Sequence, residues 1–294
     1  MKHELKKTLV LLPLLAALAA CGGGGGDGSP LDANRSADGT GAGAGTGQPA
    51  TDGDTKDTPA TPSTPAKPEV EELFHLSPRG TTARYVLLGT SLQSTGALET
   101  LEQQPMGGVV AMNAHTLTGP DLSVADIAGD ETFAQGRWAK GTALAAGSTS
   151  TLGGARNAAY HYVVHLPATH FPAGGTLRCD AGTFTRPTVI SNPSAPALGV
   201  ATGSAALSFN DAGAVVDVSL TATAGHRTGT VSTTERTIAP GASAVTGNFF
   251  SQGDGMMLTL GDSGNGKFRV IAAYEVTAGG DAAYRGIATF LCTR

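Results

Sequence analysis

Aromatic side chains are scarce in this chain, with one tryptophan, five tyrosines and nine phenylalanines among 294 residues, so a core has to be filled chiefly by aliphatic residues and alanine. An excess of positive charge is also missing. The formal net charge is -5, and a chain without a basic field is not built to hold nucleic-acid phosphates, so no such partner is expected. No apolar run reaches the roughly 20 residues a helix needs to cross a bilayer. Residues 9–20, which follow Lys2, Lys6 and Lys7, are too short and too rich in alanine for that role. Cysteine occurs at only three positions, Cys21, Cys179 and Cys292, which restricts any disulfide framework to a single bridge once one of them is otherwise used.

What is present at the N-terminus is a basic start, a short apolar stretch and then small residues, the order of a secretory signal peptide. The signal is predicted over residues 1–20. It ends in Leu18-Ala19-Ala20-Cys21, which resembles the lipobox of bacterial lipoproteins, where the cysteine is diacylated and becomes the mature N-terminus. Several acyl chains on one residue anchor stably, since each buried methylene contributes about 0.8 kcal/mol. Gly22 stands where an aspartate would resemble the inner-membrane retention signal, so the expected location is the outer membrane, with its surface and periplasmic faces both open. Removing a signal that carries three lysines and Glu4 takes the net charge from -5 to about -7. Cys179 and Cys292 then remain for an oxidising compartment and are expected to pair.

Residues 21–69 read as a lipidated tether. They begin with five consecutive glycines after Cys21 and end in Thr58-Pro59-Ala60-Thr61-Pro62-Ser63-Thr64-Pro65. A segment with almost nothing to bury cannot offset about 1–2 kcal/mol of backbone entropy per ordered residue. Its glycine-rich part is expected to be flexible and its proline-rich part more extended.

From about residue 70 the pattern changes to strands. Val216, Val218, Leu220 and Ala222 alternate with Asp217, Ser219, Thr221 and Thr223, and Ala205, Leu207 and Phe209 alternate upstream of the turn Asn210-Asp211-Ala212-Gly213. That is a hairpin. A second follows, with Phe268, Val270, Ala272, Tyr274 and Val276 on one face, a turn at Gly279-Gly280-Asp281, and Tyr284, Gly286, Ala288, Phe290 and Cys292 on another. Further strands are predicted over 84–89, 109–117, 137–144, 158–166, 176–184, 229–238, 245–251 and 256–260. The fold class is therefore all-β, a barrel or a sandwich. Glycines and alanines within strands suit tight curvature, which favours an antiparallel meander closing as a barrel of about eight strands. Cys179 is in phase with Leu177 and Cys292 with Phe290, so a bridge between them would tie an early strand of the meander to the last.

Chemistry-bearing motifs are sparse. Gly261-Asp262-Ser263-Gly264 resembles the nucleophile segment of chymotrypsin-like serine proteases, and His115 lies upstream in that family's order, which makes a serine hydrolase using Ser263 a third functional reading. The continuation Asn265-Gly266 and the lack of a marked aspartate favour a plain hairpin turn. His161 and His165 share a strand face about 13 Å apart at roughly 3.3 Å per residue, too far to chelate one metal without His170 or His226; they are expected at the surface or rim. Trp138 reads as a core or rim anchor, and Met256-Met257 as core packing at a strand boundary. No catalytic residue, metal or cofactor is expected, and no ligand-binding residue is singled out.

One stretch carries a resemblance. Asp126-Ile127-Ala128-Gly129-Asp130-Glu131-Thr132-Phe133, then Gly136-Arg137-Trp138-Ala139-Lys140-Gly141, then Tyr160-His161-Tyr162-Val163-Val164 resembles the entry into the C-terminal barrel of the factor H-binding protein family. Barrels of the transferrin-binding protein B type look similar. The resemblance implies an eight-stranded barrel over residues 135–294 preceded by a smaller β subdomain over 70–134. It also implies a non-enzymatic binding module that captures a host protein or an iron source. Val245-Thr246-Gly247-Asn248-Phe249-Phe250 resembles a strand of those barrels without its usual continuation, and the cysteine pair is foreign to the pattern. A structural envelope lipoprotein supporting another assembly is the alternative.

Overall fold

The computed structural model describes residues 82–90, 92–153, 159–251 and 253–294. The signal, Cys21, the tether and residues 70–81 lie outside them. Among the described residues there is no α-helix, and every strand pairing is antiparallel.

The first sheet contains β1 (Arg84–Leu88), β2 (Gln93–Ala97), β3 (Leu101–Gln103), β4 (Val109–Met112), β5 (His115–Asp130), β6 (Phe133–Ala145), β7 (Ser148–Leu152) and β8 (Tyr160–His165). Its order is β2-β1-β8-β6-β5-β4-β3, with β7 on β6, and it curls into a half-barrel. One face closes on Leu87, Val109, Met112, Ala134, Trp138, Tyr162 and Val164. Tyr162 lies across from Gly136, where an added Cβ would meet the tyrosine oxygen at 2.3 Å. The missing side chain is the space the ring occupies.

The second sheet contains β9 (Gly175–Cys179), β10 (Thr183–Phe184), β11 (Thr188–Val189), β12 (Val200–Asn210), β13 (Gly213–Ala224), β14 (Arg227–Ile238), β15 (Ser243–Gly247), β16 (Gly255–Asp262), β17 (Phe268–Ala278) and β18 (Ala282–Thr293). Eight of these run in the order β14-β13-β12-β9-β18-β17-β16-β15, while β10 and β11 pair with β18. This sheet is the nearly closed eight-stranded barrel. Its β14 edge closes against β17 and the turn that follows: Gly279 N donates to Thr228 O at 3.2 Å, and a Cβ at Gly229 would strike Thr277 O. Only glycine lets the two backbones come that close. Both predicted hairpins are present, with Asn210 opposite Gly213 and Ala278 opposite Ala282.

The inward-facing residues of the barrel form one core that includes Leu207, Val216, Val218, Leu220, Met256, Leu258, Val270, Tyr274, Tyr284 and Phe290. Each fully buried aliphatic side chain of this size contributes about 1.5–3 kcal/mol. The interior is therefore packed with side chains. A third cluster, with Val86, Leu88, Phe133 and Val163 from the first sheet and Met257, Ile271, Ala273 and Ile287 from the barrel wall, joins the two sheets. The change of sheet comes at residues 166–174, so β6 and β8 belong with the first sheet, whereas the division drawn at 134/135 runs through β6.

Candidate functional site

The disulfide is formed. Cys179 and Cys292 are direct cross-strand partners between β9 and β18, bridged across a sequence separation of 113 residues. Ser263 sits in the β16–β17 turn, where Gly264 N donates to Asp262 Oδ1 at 2.9 Å and Lys267 N to Gly264 O at 2.9 Å. Its Oγ is buried without a hydrogen-bond partner. His115 belongs to the first sheet, with Nε2 3.3 Å from Tyr85 Oη and Nδ1 accepting from Ala146 N at 3.3 Å. No bond joins it to Ser263.

The expectation that His161 and His165 lie at the surface or rim is corrected, since both are 1 % exposed. The reason is that β8 is covered on both faces. Tyr160, Tyr162 and Val164 point into the half-barrel core, while His161, Val163 and His165 point at the barrel wall. His161 is held between Thr185 Oγ1 at 2.8 Å and Thr188 Oγ1 at 2.7 Å. Burial, with Arg137 and Arg285 nearby, pushes its pKa down to about 3. Burial likewise pushes His165 down to about 4, and its Nδ1 has no partner. His170 and His226 are exposed, and among the described residues no group of three His, Cys, Asp or Glu side chains gathers to hold a metal. Trp138 is fully buried and donates through Nε1 to Val109 O at 2.7 Å. Met256 packs inside the barrel and Met257 between the sheets.

Around these histidines the two sheets meet through polar groups that sequence reasoning did not single out. Arg285 on β18 bonds Glu275 on β17 at 2.7 Å, both side chains being 2 % exposed, and also reaches Gly89 O and Thr90 O in the first sheet. Burial raises the Glu275 pKa against the pull of Arg285. Gln135 accepts from Thr289 Oγ1 at 2.8 Å. Arg269 lies over the Phe133 ring at 3.6 Å and donates to Asp130 at 2.8 Å. Asp126, with φ of 56°, accepts from Arg137 Nε at 2.7 Å and from Arg186 N at 2.9 Å. The segment that carried the family resemblance thus fastens one sheet to the other. Its aspartates accept from Arg137 and Arg269 there, as Glu275 does from Arg285.

Away from the seam, a few large apolar side chains face solvent. Phe250 is 61 % exposed beside the buried Phe249, and Met106 and Val200 are also exposed. At one end of the barrel, Phe171, Phe209 and Phe268 border an open cleft. No protein-family model, curated protein or solved structure matches the chain.

Proposed function

We propose that the protein is a lipid-anchored lipoprotein of the outer membrane, displayed on its stalk, whose barrel is a non-enzymatic binding module for a protein partner. The filled interior carries this reading. A barrel packed with Val216, Leu220, Leu258, Val270 and Tyr284 leaves no room for a ligand inside it, so a partner would be engaged on the outside. The Leu18-Ala19-Ala20-Cys21 signal and the Gly/Pro/Thr-rich stretch support an anchored, tethered domain. The resemblance of residues 126–164 to factor H-binding and transferrin-binding protein B barrels supports capture of a host protein or iron source as the class, although one scaffold hosts many ligands.

The test is protease shaving of intact cells followed by mass spectrometry, with a periplasmic protein as the integrity control. Release of peptides from residue 70 onward is the expected result. Complete protection of those peptides would overturn surface display and leave a structural role inside the envelope.

A further inference from the structure

β16 and β17 are joined by Ser263-Gly264-Asn265-Gly266-Lys267, where Ser263 N donates to Lys267 O at 3.1 Å and Lys267 N to Gly264 O at 2.9 Å. The second bond closes a four-residue turn around Asn265 and Gly266, whose φ angles are 52° and 70°. Positive φ at both central positions is the type I′ turn, which asparagine followed by glycine adopts most readily. The turn uses neither the Gly266 N–H nor the Asn265 carboxamide, and no hydrogen bond to another described residue holds either group. Both residues are exposed, and a Cβ at Gly266 would meet no atom within 4 Å.

The other described asparagines differ at the same two groups. Asn113 accepts from Glu99 N and Thr100 N and donates to Ala97 O. Asn192 is bonded to Asp281 and to Ser194 N, and Pro193 after it has no N–H. The Asn210 oxygen accepts from Ala212 N at 2.9 Å. Asn248 precedes Phe249, a fully buried ring that crowds the peptide nitrogen. Only at Asn265 does an unbonded carboxamide stand beside an unbonded peptide nitrogen that carries no neighbouring side chain.

We propose that Asn265 is a site of spontaneous covalent modification that proceeds while the protein stays folded. The Gly266 nitrogen, having lost its proton to base, attacks Asn265 Cγ; the Cγ–Nδ2 bond breaks and Nδ2 leaves as ammonia, closing a five-membered succinimide. Water then opens the ring at either carbonyl, giving an aspartate or an isoaspartate at that position. Either product adds a negative charge to the turn, and the isoaspartate lengthens the main chain there by one carbon. The ladder of eight residue pairs behind the turn is untouched.

The test incubates the folded full chain at neutral and at mildly alkaline pH, digests it under acid conditions and follows each asparagine by mass spectrometry, with isoaspartyl methyltransferase labelling to report the isoaspartate. The peptide containing Asn265 is expected to gain about one dalton, the difference between a carboxylic acid and an amide. It should do so ahead of Asn113, Asn192, Asn210 and Asn248, faster at the higher pH, and should take up the methyl label. Gly266→Ala, whose methyl group crowds the attacking nitrogen, should lose most of that gain, with its melting curve showing that the chain is folded. Asn265→Asp supplies one product directly and should melt where the parent does. An unmodified Asn265 in the folded chain when urea-unfolded chain has converted, any of the other four reacting first, or an unchanged rate in Gly266→Ala would each overturn the proposal.

Discussion

Arg285 and Glu275 face each other across β17 and β18 in a position water does not reach. Removing either one strands the other as a buried charge. Glu275→Ala or Arg285→Ala is therefore expected to destabilise the fold by about 3–5 kcal/mol, whereas an apolar pair at both positions should recover most of the loss. Urea unfolding of the two single variants and the double variant measures this directly. His161 and His165 set the response to acid. Unfolded, a histidine titrates near 6.5; folded, these two titrate at about 3 and about 4. Between those limits the unfolded chain takes up protons that the native protein does not. Stability is accordingly full above pH 6.5 and falls below it by about 1.4 kcal/mol per pH unit for each histidine, the share of His165 levelling off near pH 4 and that of His161 near pH 3. His161→Gln should flatten that slope in a pH series of unfolding curves, while an unchanged slope would show that other groups carry the acid sensitivity.

At the scale of elements, the bridge between β9 and β18 is the strongest single constraint. It spans 113 residues, and the chain-entropy relation gives about 4–5 kcal/mol for a loop of that length. Cys179→Ala/Cys292→Ala should lower the urea midpoint accordingly and become indifferent to reductant, to which the parent responds. Strand legibility followed local pattern. The 200–224 hairpin is legible because most of its outer residues are polar or small and its inner ones apolar, and the 268–293 hairpin from its run of inner aromatic and aliphatic residues, with glycine or asparagine at the turns, although Ile271 and Ile287 face outward to the first sheet. The predicted strand at 109–117 is instead two, β4 and β5, because Asn113 adopts φ of 50° and reverses the chain. The second half of β5 was hidden by Gly119-Pro120-Asp121, and there the ladder to β6 shifts register repeatedly. β2, β3 and β7 are short and polar, and only their neighbours in space make them strands. The buried histidines were misjudged for a related reason. A strand covered on both faces loses the alternation that reveals burial, and the seam's Arg269, Glu275 and Arg285 lie on strands that read outward until a second sheet covers them.

The described residues form a filled barrel with a curled sheet laid against its wall, and the wall carries polar groups where a single-layer barrel would present them to water. β18 is the last strand in sequence, yet it pairs with β9, β10, β11 and β17. However early the other hairpins form, the ring stays open until residue 293 has been made. Cys292 meets Cys179 only once β18 is in place, so the disulfide comes as a final stitch, and a chain cut short before β18 would lack not just an edge but the keystone between the two halves of its sheet.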